Sequence, residues 1–208
     1  MSRQGELFLA SKRPATAPPV ATQAPSLSQQ QLLTWQNRIR NHQLPLFAQQ
    51  VPDGAKQDGQ RQLIFAELGP IGLDPHSQAS ALNPLSLHAH PLSFWRWPSA
   101  PHQGAAIYVV MDRPSSVGTS LLLYVGETGR ADQRWKGAHD CKGYLAAYSE
   151  ALATAGLESN LSIRFWCDVP SSMKPRRALE LALIQRWLPP FNKETRNHWT
   201  TPFTADTL

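Results

Sequence analysis

The chain has 208 residues and 23.1 kDa, with 20 Lys and Arg against 15 Asp and Glu, a formal net charge of +5 and a sequence pI of about 9.5. That size fits one domain plus further sequence, and the basic balance suits a polyanionic partner. The two cysteines, Cys141 and Cys167, exclude a disulfide framework and match no zinc-ligand spacing; with no apolar run of membrane-spanning length and no signal-peptide core in "MSRQGELFLASKR", a cytoplasmic protein is expected.

Residues 9–30 are rich in Pro, Ala, Thr and Gln. They bury too little apolar surface to offset ordering entropy, so residues 1–50 are expected to form a partly disordered tail. Within it, Leu32, Leu33, Trp35 and Ile39 fall near one face of a short helix. Residues 51–103 surround Leu63, Ile64 and Phe65 with polar residues, then carry several prolines with Trp95 and Trp97. They read as an irregular flank packed on the main domain.

Strong patterns begin near Gly104. "AAIYVVMD" and "LLLYVGE" read as strands joined by the turn-like "RPSSVGT". Residues 130–155 read as helical, broken near Cys141 to Gly143, and "LSIRFWCDV" as a strand. "SSMKPRRALELALIQRWL" reads as a helix with a Ser cap, Pro175 in its first turn and a stop at Pro189–Pro190. The order β-β-α-α-β-α predicts an α/β (α+β) domain over residues 104–200.

A hairpin with Tyr108 opposite Tyr124 sets Val110 against Leu122 and Asp112 against Ser120. Ile107, Val109, Met111, Leu121, Leu123 and Val125 then share an apolar face, and the two tyrosines and Gly126 share the other. In the last helix, Glu180 shares a stripe with Leu183, Ile184 and Trp187. A carboxylate drawn toward a core needs a partner. Either a cation such as Arg134 or Arg177, or a hard metal such as Mg²⁺, meets that need.

Together, "AIY" at 106–108, "YVG" at 124–126, Arg134, Glu180 and Asn192 after "PPF" resemble the GIY-YIG nuclease superfamily over about residues 104–195. "LELALIQRWLPPFN" and "YVGETGRADQRWKGAH" are the most telling stretches. The resemblance implies a three-stranded antiparallel sheet flanked by helices. It also implies hydrolysis of DNA phosphodiesters with one Mg²⁺ or Mn²⁺. It assigns Tyr108 and Tyr124 as the paired tyrosines, Gly126 as the motif glycine, and Arg134 to the phosphate. Glu180 becomes the metal ligand and Asn192 a positioning residue. Tyr108 is favoured as the group that orients or deprotonates water, with its phenol lowered by the metal and Arg134. Lys174, Arg176, Arg177 and Arg130 become candidate DNA contacts. Ala106 stands where the family has glycine, Glu127 follows Gly126 where some relatives are basic, and Ala138 precedes His139 where others carry His or Tyr. A non-cleaving nucleic-acid or clamp-binding adaptor on the same fold is the alternative.

Two upstream stretches, "QLPLF" (Gln43, Leu44, Leu46, Phe47) and "QGELF" (Gln4, Leu7, Phe8), resemble the peptide by which bacterial DNA enzymes dock on the replication sliding clamp. Such docking needs a flexible segment with two apolar anchors. His88 and His90 alternate along an extended segment; two histidines without a third ligand make a weak metal site, and ordinary flank residues are the expectation.

Overall fold

The computed structural model describes residues 27–49, 74–93, 102–136 and 140–203. The elements are α1 (Gln29–Ala48), α2 (Pro75–Ala81), β1 (His90–Pro91), β2 (Ala106–Asp112), β3 (Leu121–Thr128), α3 (Asp140–Thr154), β4 (Ser162–Trp166) and α4 (Met173–Trp187). The strands form one antiparallel sheet in the order β1-β4-β2-β3. It is a mixed α+β fold with four strands among the described residues, not three. The flank, expected to be irregular, supplies α2 and the short strand β1 beside β4.

Both faces of the sheet are buried. On one, Tyr108, Val110, Leu121 and Leu123 meet Leu32, Trp35 and Ile39 of α1, Tyr144 and Tyr148 of α3, and Phe191. On the other, Ile107, Val109, Met111, Leu122 and Val125 meet Leu179, Leu183, Ile184 and Trp187 of α4, with Phe47. The expected face is therefore divided: Leu121 and Leu123 pack with Tyr108, not with Ile107. A β-bulge causes this. The hairpin pairs Tyr108 with Gly126 and Val110 with Tyr124, then shifts between Val110 and Met111 so that Met111 meets Leu122 and Asp112 meets Leu121. The register thus lies two residues from that expected up to Val110 and one residue beyond the bulge, and the even shift keeps Tyr108 and Tyr124 on the same side.

α1 begins at a Ser28–Gln31 capping box and contributes side chains to both layers. Far from being a tail, residues 29–48 are a core element. α4 starts after Ser172, whose side chain makes no capping bond, and ends with Leu188 in the left-handed conformation (φ 44°) before the two prolines. The break expected near Cys141 to Gly143 is not there, since those residues lie inside α3; the non-helical part comes earlier. Residues 131–136 form turns and the helix begins at Asp140.

Candidate active site

β3 is an edge strand, so its outward N–H and C=O groups need partners. Four distant residues supply them. Gln43 Nε2 donates to Leu122 O (2.9 Å), and Leu122 N–H donates to Gln43 Oε1 (2.8 Å). Phe191 N–H donates to Leu123 O at 3.0 Å. Asn192 Nδ2 donates to Val125 O (2.8 Å) and its Oδ1 accepts from Val125 N–H (2.9 Å). Glu127 N–H donates to Glu180 Oε1 at 3.1 Å. Asn192 and Glu180 are thereby tied to the strand that carries Tyr124.

The tyrosine rings stack with centroids 6.1 Å apart and planes at 26°. Gly126 permits this. A Cβ there would lie 2.4 Å from both Cζ and the hydroxyl oxygen of Tyr108, since that ring crosses directly over the glycine. Arg134 Nε donates to the Tyr108 hydroxyl at 3.1 Å from the turns after β3. Arg134 is exposed while Tyr108 is fully buried, so the contact joins the interior to solvent.

Burial raises the Tyr108 phenol well above its ordinary value, outweighing the charge and hydrogen bond of Arg134. Burial raises Tyr124 as well, reinforced by the charge of Tyr108. This is opposite to the expected lowering: in the protein alone, losing the water around a phenolate costs more than Arg134 restores. Both tyrosines are neutral hydrogen-bonding groups at neutral pH.

Glu180 is pushed up to about 7, by burial first and then by the neighbouring Glu127 carboxylate. Arg134 and Arg177, the cations offered as its partners, are engaged elsewhere, Arg134 on the Tyr108 hydroxyl and Arg177 on Glu127; a third arginine, Arg176, also holds Glu127. Arg176 is 3% exposed. Its Nε donates to Glu127 Oε2 at 2.7 Å, and its Nη1 to the carbonyls of Pro170 (3.1 Å) and Ser171 (2.6 Å). Arg177 Nε approaches Glu127 Oε1 at 3.4 Å. Among the described residues no ion pair reaches Glu180 and its Oε2 accepts no hydrogen bond. A half-buried carboxylate with no ion pair, acted on more by the carboxylates of Glu127 and Glu194 than by Arg177, fits Mg²⁺ or Mn²⁺, which take one or two protein carboxylates and keep most of their waters. No ready-made group of three His, Cys, Asp or Glu side chains that could hold a metal occurs among the described residues; the carboxylates that act on Glu180 are those of Glu127 and Glu194.

The tyrosines, Arg134, Glu180 and Asn192 thus gather around the end of β3, while other expected residues fall elsewhere. Arg176 is an interior anchor for Glu127, not a surface cation for DNA; Lys174, Arg177 and Arg130 are exposed. Its place was readable, since Arg176 precedes Glu180 and Leu183 by four and seven residues on one stripe. Residues 43–47 are helical, not an extended docking peptide. Gln43 is fully buried on Leu122, and Phe47 packs on Trp187 with centroids 4.6 Å apart. Leu44 is exposed and Leu46 packs on the second layer. Gln4, Leu7 and Phe8 lie outside the described residues. No protein-family model, curated protein or solved structure matches the chain.

Proposed function

We propose that the chain is a metal-dependent endonuclease of the GIY-YIG kind, hydrolysing DNA phosphodiester bonds at the end of β3. The observation that carries this reading is the convergence on the β2–β3 pair of stacked phenols, an arginine on one of them, and a carboxyl raised to about 7 with no ion pair among the described residues. Arg134 binds the non-bridging phosphate oxygens through the guanidinium nitrogens other than the Nε that holds Tyr108. Tyr108, neutral and fixed by Arg134, orients the attacking water instead of deprotonating it. Tyr124, partly exposed, offers a second hydroxyl beside it. Glu180 holds the divalent ion, which when bound polarises the phosphate and stabilises the leaving 3′ oxygen. Asn192 fixes β3 beside Tyr124. Clamp docking through residues 43–47 forms no part of the proposal, because Gln43 and Phe47 are used inside the fold.

The test is cleavage of plain, flapped, branched and damaged DNA duplexes with Mg²⁺ or Mn²⁺, against EDTA. Glu180→Ala is expected to lose on the order of 10³-fold in rate, the scale of removing one transition-state stabiliser, while DNA binding persists. Full divalent-dependent activity in that variant would overturn the metal role. The raised phenols favour a second reading, a DNA-binding adaptor that does not cleave. Binding without cleavage by the wild-type chain across the whole panel supports it.

A further inference from the structure

His88 and His90 lie two residues apart on the extended approach to and start of β1, and the fold brings His102 to them from the approach to β2. The Nε2 atoms of His90 and His102 face each other at 3.2 Å. The rings of His88 and His90 have centroids 4.7 Å apart, and those of His90 and His102 5.2 Å. Phe165 of β4 backs both His90 and His102, with centroids 6.2 and 5.2 Å away. His90 is 6% exposed, whereas His88 is open to solvent.

Two nitrogens bound to one tetrahedral Zn²⁺ at about 2.0–2.1 Å stand roughly 3.3 Å apart. The His90–His102 separation therefore matches the edge of a zinc tetrahedron as well as it matches a single N–H···N bond. In the N–H···N arrangement one Nε2 carries its ring's proton, so binding Zn²⁺ through both Nε2 atoms moves that proton to the ring's Nδ1. The three side chains do not already stand as a complete ligand set. The exposed His88 has the freedom to turn toward its neighbours, and its spacing of two places it on their side of the extended chain.

We propose that His90 and His102, completed by His88 and water, form a Zn²⁺ site separate from the tyrosine cluster. Bound metal would cross-link the two ends of residues 88–102 and hold β1 against β4. The proposal stands independently of the nuclease reading.

The full-length chain is titrated with Zn²⁺ against a chromophoric chelator, and with Co²⁺ while its visible absorption is followed. One Zn²⁺ per chain and a tetrahedral Co²⁺ spectrum are expected, with a zinc-dependent rise in the melting midpoint. His102→Ala should weaken uptake by at least about 100-fold, beyond the 10–100-fold typical of losing only an outer-shell partner. His88→Ala should weaken it less than His102→Ala does, because water can take the place of a ligand that must turn inward, and His198→Ala should leave it unchanged. Because His90 is buried, His102→Gln with a circular-dichroism check provides a second variant that keeps the ring pocket filled. No competition with a micromolar chelator, or equal uptake by wild type and His102→Gln, would overturn the proposal.

Discussion

Each end of β2 and β3 carries a buried tyrosine close to a carboxyl, and the two pairs differ in how completely they are satisfied. At the hairpin end, Asp112 is fully buried. Tyr148 donates its hydroxyl to Oδ2 at 2.7 Å, Asn160 N–H donates to Oδ1 at 2.6 Å, and Gln36 Nε2 donates to the Tyr148 hydroxyl at 2.7 Å. Burial raises the Asp112 pKa and these donors pull it back. At the other end, Glu180 accepts one backbone N–H, faces the Glu127 carboxylate and rises to about 7. The first arrangement is a closed network that specifies packing. The second leaves an acceptor whose charge reaches half-exposed Tyr124, as a site that must bind something would.

Breaking the closed end should have the largest effect on stability. Asp112→Ala strands the Tyr148 hydroxyl and the Asn160 N–H, and is expected to cost about 3 kcal/mol in urea unfolding. A cost below about 1 kcal/mol would show that the network is not closed. Gly126→Ala and Asn192→Leu follow at about 2 kcal/mol each, for opposite reasons. The first forces a methyl into the Tyr108 ring, which is buried and has no room to move aside. The second leaves both backbone groups of Val125 without partners. Near-ultraviolet circular dichroism separates them: Gly126→Ala should disturb the tyrosine signal more than Asn192→Leu does.

The smallest effect sharpens the contrast most. Glu180 has a folded pKa of about 7 against an ordinary 4.5. The protonated form therefore favours the native state. Its contribution is fully present below pH 4.5 and is lost as pH rises through about 7. Glu180→Gln should flatten that part of the stability profile, measured by urea unfolding at stepped pH. Mg²⁺ at millimolar concentration should raise wild-type stability more above pH 7 than below pH 5, because only the carboxylate binds it. An unchanged profile in Glu180→Gln would show that the carboxyl is better compensated than its surroundings imply.

Much of the candidate site was legible because it depends on parity and helical offset. The period of two set Tyr108 and Tyr124 on one face, and the stripe of Glu180, Leu183 and Trp187 marked a carboxyl turned inward. The strands at 106–112, 121–128 and 162–166 and the helix at 173–187 follow from β-rich runs, a Pro in the first turn and a Pro-Pro stop. The bulge opposite Val110 and Met111 was hidden, because "LLLYV" is apolar at every position and carries no register mark. The interior places of Gln43 and Phe47 were hidden for a related reason. A glutamine before two apolar residues has the same composition whether it docks on a partner or caps a strand of its own chain.

Local order along the chain came from the amino-acid sequence itself, since turn residues, alternation and helix stops act between neighbours. Tertiary structure alone decided which backbone groups Gln43, Asn192 and Glu180 would satisfy, that Glu127 would be the partner of Arg176, and that His102 would meet His90. Those contacts join residues 12 to 79 positions apart. Their partners are chosen by which buried polar groups remain unpaired once the sheet and helices have packed, and no local pattern encodes that choice.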